Sequence, residues 1–231
     1  FESKHLTKPT RPIFIIHNNT HCDEILADKI STHMGFEIRE INIENLDYIS
    51  KLVEDEDAAL LIIGINTNKE IQFYLNKCRD LRIPYIFVKN NITADFKIDT
   101  ILLPITNLEE EKEKGPFASS FARHFNSEIK IYQPNDYGSK ATKNIEAIKN
   151  LFDSFNLTYT TIKGKKDSHK IELEAEKLNH DASNSILIIS ASRDYGLDDL
   201  IFGPKERKIL KNVNHPTMLI NPRGDLYALC D

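Results

Sequence analysis

Three residues close together in the sequence, His17, His21 and Cys22, are of types that ligate metals or carry nucleophilic chemistry. A metal centre needs three or four converging ligands, and a thiolate nucleophile needs a base within reach. His17 ends an apolar run and His21 lies in the segment after it, so their four-residue spacing does not place them on one helical face. Neighbouring side chains such as His21 and Cys22 diverge, and the group is read as turn residues. Cys78 falls on the apolar stripe of a helical segment and reads as core; Cys230 belongs to the tail. His124 and Phe125 end a helix whose aromatic stripe likewise reads as core. No paired carboxylates and no Ser-His-Asp or Cys-His arrangement stand out, which points away from hydrolytic catalysis. The tripeptide Arg223-Gly224-Asp225 reads as a turn.

Composition narrows the class. The 231 residues are 40% hydrophobic and 28% charged, enough for one large or two small cores. No segment approaches the ~20 apolar residues of a membrane-spanning helix, so no membrane insertion is expected. A net charge of -5 with interspersed signs argues against a nucleic-acid partner. The runs Glu109-Glu110-Glu111-Lys112-Glu113-Lys114 and Lys163-Gly164-Lys165-Lys166 are expected to be solvated surface. Three widely spaced cysteines fit a reducing compartment, and the expected location is cytoplasmic. The opening Phe1-Glu2-Ser3-Lys4-His5 has neither Met nor the apolar core of a signal peptide, as expected of a chain trimmed at its N-terminus.

The elements that would position any site alternate between short β-branched runs and helical stripes, the pattern of βαβ units and a parallel sheet. Two series are visible. The first has strands expected at Pro12–His17, Glu37–Ile43, Ala58–Ile65 and Pro84–Lys89. Its helices carry Ile25, Leu26 and Ile30; Leu46, Ile49 and Val53; and Ile71, Tyr74, Leu75 and Cys78. A polar linker, residues 89–95, follows. The second series has strands expected at Thr100–Ile105, Glu128–Gln133, Thr158–Lys163, Ser185–Ile189 and Pro216–Ile220. Its helices carry Phe117, Phe121 and Phe125; Ile145, Ile148, Phe152 and Phe155; Ile171, Ala175 and Leu178; and Ile209, Leu210 and Val213. Right-handed crossovers would place helices on both faces.

An internal repeat supports the division. Leu81-Arg82-Ile83-Pro84-Tyr85-Ile86-Phe87-Val88 and Val213-Asn214-His215-Pro216-Thr217-Met218-Leu219-Ile220 share one order: apolar, two residues, Pro, apolar strand. Proline there ends a helix and enters a strand without breaking a ladder. The fold class expected is α/β, with two doubly wound parallel-sheet units, the first shortened, over residues 1–92 and 97–231.

In the C-terminal half the residues carry a family resemblance. The run from Ile188-Ile189-Ser190-Ala191-Ser192-Arg193 through Phe202-Gly203-Pro204 to Pro216 resembles the last strand–loop–helix–strand segment of universal stress proteins. Lys97-Ile98-Asp99-Thr100-Ile101-Leu102-Leu103-Pro104-Ile105 is similar to that family's first strand. The N-terminal half matches only in layout. The resemblance implies an adenine nucleotide alpha hydrolase-like fold. Its ATP-binding branch carries Gly-x2-Gly-x9-Gly-Ser/Thr after the fourth strand and Asp after the first. Glycines let backbone N–H groups approach phosphates, and a hydroxyl with a helix N-terminus holds an anion.

Placed on this sequence, the loop positions are Ser190, Arg193, Gly203 and Pro204, and the Asp position is Thr106; only Gly203 matches. Arg193 is read as a surface arginine, although its guanidinium fork is of a kind that grips anions. Pro204 is expected at the first helical position. In the first half the equivalent loop begins at Gly64 and reaches Pro84 in 20 positions, against 26 from Ser190 to Pro216, so the phosphate-wrapping portion is deleted.

The resemblance therefore implies a non-catalytic stress-response or regulatory protein with no cofactor and weak or absent ATP binding. The expected assembly is a pseudo-dimer of tandem units within the chain, the strands at 84–89 and 216–220 side by side, with homodimerisation as a further option. Two alternatives stand beside it. One is a nucleotide switch with a residual site at Thr106, Ser190, Arg193 and Gly203; the other is the regulatory domain of a larger protein such as a transporter.

Overall fold

The computed structural model describes residues 11–16, 21–42, 47–89, 92–136, 140–180, 182–192 and 204–223. Among the described residues nine strands form, each within a residue or two of an apolar run except the second. They are β1 (Pro12–Ile16), β2 (Glu37–Glu40), β3 (Leu60–Ile65), β4 (Tyr85–Lys89), β5 (Thr100–Pro104), β6 (Glu128–Gln133), β7 (Tyr159–Lys163), β8 (Ser185–Ser190) and β9 (Thr217–Ile220). The second strand, expected to Ile43, stops at Glu40, and Ile43 lies outside the described residues. Seven α-helices are described: α1 (His21–Met34), α2 (Ile49–Asp55), α3 (Asn68–Cys78), α4 (Lys114–Phe125), α5 (Lys140–Ser154), α6 (Ile171–Leu178) and α7 (Lys205–Asn212).

The two series do not make two sheets. They make one mixed sheet of order β2-β1-β3-β4-β9-β8-β5-β6-β7. Every pairing is parallel except β4 with β9, where Tyr85 faces Leu219, Ile86 faces Met218 and Phe87 faces Thr217. The strands expected side by side are thus hydrogen-bonded neighbours, and the expectation of separate parallel sheets is corrected to a continuous one.

Read outward from the β4–β9 seam, each side runs last strand, penultimate strand, first strand, second strand, with β7 added on the longer side. Ile86 and Met218 are each two residues beyond the repeated proline, and the register pairs them with each other. A residue facing its own equivalent is what a twofold relation requires.

Fully buried parallel strands read as continuous apolar runs because helices cover both faces. One face packs α1, α4 and α5 through Leu26, Ile30, Phe121, Ile148 and Phe152. The other packs α2, α3, α6 and α7 through Ile49, Val53, Leu75, Cys78, Ile171, Ala175, Ile209 and Leu210. Across the seam α1 meets α4 and α3 meets α7. The α1–α4 contact includes the His33 ring stacked on Phe125 at 4.6 Å.

Two residues assigned to stripes fall outside them. Leu178 closes α6 at 62% exposure, and Phe155, beyond the end of α5, is 44% exposed with the Arg123 guanidinium 4.4 Å over its ring. Both sit where a helix ends, so the periodicity no longer points at the sheet. Gly115 has a steric role. A Cβ there would stand 3.3 Å from both Ile148 and Leu151, so glycine lets α4 lie close against α5.

Candidate functional site

In an open α/β sheet ligands bind beyond the carboxyl ends of strands where the order reverses, which in the C-terminal half is between β5 and β8 and in the N-terminal half between β1 and β3. Thr106 follows β5 and Ser190 ends β8, and both are buried. The structure brings them together on one group. Thr106 N–H donates to Glu111 Oε2 at 2.7 Å and Ser190 Oγ–H donates to Glu111 Oε1 at 2.7 Å. Arg193 and Gly203 lie outside the described residues. Pro204 is the N-cap of α7, one place before the expected first helical position, with extended backbone (φ -63°, ψ 157°).

Local structure explains why Glu111 points inward. A 3-10 helix spans Glu109–Glu113 and runs into α4, whose first residue is Lys114. With three residues per turn, side chains at i and i+3 lie over each other. Glu111 and Lys114 therefore share the inward face, and both are 0% exposed. Lys114 Nζ lies 2.6 Å from Glu111 Oε2, donates to the Pro104 carbonyl at 2.5 Å and stands 3.8 Å from Glu172 Oε1. Asn144 of α5 holds the preceding loop, donating to the Thr106 and Leu108 carbonyls at 3.2 and 2.7 Å.

The cluster continues into the other helices. Glu172 in the first turn of α6 accepts from Ser190 N–H at 3.4 Å and pairs with Lys205 Nζ at 2.8 Å. Glu206 accepts from Ser192 Oγ–H at 3.1 Å and from Ser192 N–H. Three buried carboxylates and two ammonium groups thus converge on the carboxyl ends of β5 and β8.

The expectation that the Glu109–Lys114 run is solvated is corrected, since Glu110, Glu111 and Lys114 are buried. The absence of paired carboxylates is corrected as well, because Glu111 and Glu172 share Lys114. Sequence reasoning missed Glu111, Lys114, Glu172, Lys205 and Glu206. One signal existed: in α6 the residues Glu172 and Glu176 follow Ile171 and Ala175 at the same four-residue spacing, which lays them along the edge of the apolar stripe.

Charge states follow from these contacts. Burial alone pushes the Glu111 carboxyl up, but Lys114 and the donors from Thr106 and Ser190 outweigh it and leave it below the ordinary carboxylate value. Burial also opposes the Lys205 cation, and Glu172 first, then Glu111 and Glu206, raise it above the ordinary lysine value. Glu206, unlike Glu111, lies above the ordinary carboxylate value, burial outweighing the bonds from its own backbone and Ser192 and the Lys205 charge.

The His17–Cys22 group does not converge. The His21 side chain is exposed and stands 3.2 Å from Glu24, the buried Cys22 thiol donates inward to the Ile92 carbonyl at 3.1 Å, and His17 lies outside the described residues. Among the described residues no group of three or more His, Cys, Asp or Glu is arranged to hold a metal ion. None of the described helices is long and apolar enough to cross a membrane.

The sheet order defines a Rossmann-type α/β protein in which ion pairs fill the region beyond the carboxyl ends of β5 and β8. Solved structures place that fold among universal stress proteins. One from Archaeoglobus fulgidus DSM 4304 superposes with a TM-score of 0.64 at 10% identity, over 94% of this chain and 88% of that one. A Pseudomonas aeruginosa UCBPP-PA14 chain provisionally assigned to the same group gives 0.57 at 11%, over 94% and 84%. A functionally unknown protein of P. aeruginosa PAO1 gives 0.54 at 11%, over 92% and 82%. At these identities the likeness establishes a universal stress protein-like fold. No protein-family profile matches the sequence, and no curated protein is detectably similar to it.

Proposed function

We propose that this chain is a cytoplasmic, non-catalytic stress-response or regulatory protein of universal stress protein type that works without an adenine nucleotide. It is a tandem of two units, residues 1–92 and 97–231, which form a pseudo-dimer within one chain. The repeated strand order and the pairing of Ile86 with Met218 support the tandem reading. Among the described residues the shorter unit has no counterpart of β7. In the resembled family the last strand pairs subunits; here β4 and β9 pair with each other, so homodimerisation would have to use another face.

The observation that carries the nucleotide reading is Glu111. Its carboxylate takes the Thr106 N–H, the Ser190 hydroxyl and the Lys114 ammonium, the donors that a phosphate would use. Glu172 and Glu206 add two more carboxylates nearby. Two like unit charges about 4 Å apart repel by roughly 4 kcal/mol at an effective dielectric of 20, and a triphosphate brings several charges. Repulsion therefore adds to the deficit from missing loop donors, which at about 1.5–3 kcal/mol each comes to roughly 10²- to 10⁴-fold for two, while Lys114 and Lys205 offset part of it.

Calorimetric titration of ATP with Mg²⁺ tests this. No micromolar binding is expected, and micromolar binding by the unmodified chain would refute the reading. The loop variant Ser190→Gly/Arg193→Gly/Pro204→Ser is expected to gain less than about tenfold, because its carboxylates stay. Adding Glu111→Gln and Glu172→Gln should give a further gain on the order of 10²-fold or more. Equal affinities for the two variants would show that these carboxylates are not what limits binding.

A further inference from the structure

The ladder between β4 and β9 is three residue pairs long, and side chains fasten its ends. Beyond β9, Asn221 donates Nδ2–H to the Cys78 and Leu81 carbonyls at 2.7 and 2.9 Å, and its Oδ1 accepts from the Tyr85 hydroxyl at 2.9 Å. At the other end Lys89, the last residue of β4, donates to the Lys211 carbonyl at 2.8 Å. Lys89 and Asn221 hold the same place in the repeat, each five residues after its proline. A residue at the end of each half's last strand therefore reaches across the seam to carbonyls at or just beyond the C-terminal end of the other half's last helix.

His215 lies at the Lys89 end. Extending the β4–β9 register by two places sets the two residues opposite each other. The imidazole is 3% exposed, and neither ring nitrogen has a hydrogen-bond partner of ordinary geometry. Burial with so little hydrogen bonding favours the neutral ring over the charged one.

We propose that His215 makes the seam an acid-sensitive latch, in which protonation of this buried ring beside Lys89 opens the β4–β9 ladder from the Lys89 end. The charges around it favour opening. Lys89 on β4 and His180, two residues beyond α6, both oppose an imidazolium, and the Pro216 backbone favours one. Glu176 on α6 stands 3.4 Å from His180 Nδ1, and Asn214 Nδ2 lies 3.0 Å from His180 Nε2. From α7, Lys211 offers its carbonyl to Lys89.

Burial outweighs the Pro216 backbone bond and, with smaller contributions from His180 and Lys89, holds the ring down to about 4 from its ordinary 6.5. A base depressed in this way stabilises the closed seam above pH 6.5 and loses that contribution as pH falls to about 4. For a ring that regains its ordinary value on opening, the open fraction rises about 20-fold between pH 7 and pH 5 and about 100-fold by pH 4.

Amide hydrogen exchange, corrected for its intrinsic pH dependence, tests this on the intact chain. Seam amides of β4 and β9 are expected to open about 20-fold more at pH 5 than at pH 7. Amides of β6 should not change, and His215→Leu should leave the seam flat across the range. The proposal is overturned by a flat wild-type seam, by the same rise in His215→Leu, or by an equal rise in β6, which would mean global loosening. Where His215→Leu does not fold, NMR titration of the wild-type ring decides: seam opening that climbs as pH falls below about 6.5 and levels off at the ring's own midpoint supports the latch, and a rise that continues well below that midpoint refutes it.

Discussion

Replacing Lys114 by methionine lowers the unfolding free energy by about 3–5 kcal/mol, the cost of leaving buried carboxylates without their cation. Lys114 is 0% exposed and its ammonium is shared by Glu111, Glu172 and the Pro104 carbonyl. Methionine fills similar volume, so packing contributes little to the loss. Urea unfolding at pH 7 reads the effect as a fall in midpoint at constant m. The double variant Lys114→Met/Glu111→Gln is expected to recover most of it, since a buried pair replaced as a whole is often near neutral. A loss below about 1 kcal/mol for the single variant, the range of surface ion pairs, would show that Lys114 is not in the buried network.

The pH dependence separates this account from a packing defect. In the native chain Glu111 is depressed, so it contributes stability above the ordinary carboxylate value and loses it as pH falls through its lower folded value. Without Lys114 the dominant influence is burial, which raises the carboxyl. A carboxyl raised in the folded state adds stability as pH falls through its folded value towards its unfolded one. The deficit of Lys114→Met should therefore shrink between pH 7 and about pH 4.5, whereas a cavity would cost the same at every pH.

Sequence and structure agree where burial follows from local pattern. Leu60–Ile65 and Ser185–Ser190 are continuous apolar runs because both faces of a central parallel strand are covered. The outermost strand β2, Glu-Ile-Arg-Glu, carries charges along an exposed edge, so its extent was less legible. The repeated proline marked the two seam strands because it enters a strand from a helix in both halves. The ion cluster was illegible for a physical reason. A six-residue run of Glu and Lys is solvated unless distant groups pair with it, and two that do so, the Glu172 carboxylate and the Ser190 hydroxyl, arrive from elements about 60 and 80 residues away. Thr106 and Ser190 were legible as positions at strand ends. Their bonding to a protein carboxylate, rather than to a ligand, depended on the 3-10 geometry that aligns Glu111 with Lys114.

The seam offers the second large effect. Ile86 and Met218 are both 0% exposed, face each other across the β4–β9 ladder and belong to the same packed face. Truncating either to alanine removes methylene groups from a site that backbone on both sides prevents from collapsing. Each substitution is expected to cost about 2–5 kcal/mol. Because the two side chains are opposed, Ile86→Ala/Met218→Ala should cost less than the sum, with an interaction energy on the order of 0.5–3 kcal/mol. Two probes, one in each half, show what the seam couples: reactivity of the buried Cys78 thiol and protection of the β6 amides. In the wild type both should report one unfolding midpoint, because α1 meets α4 and α3 meets α7 across the same boundary. In the double variant the midpoints should separate, the shorter half, with four strands, unfolding first. Additive costs with coincident midpoints would mean that the halves are held together by something other than this pair, and the twofold account of the seam would fail.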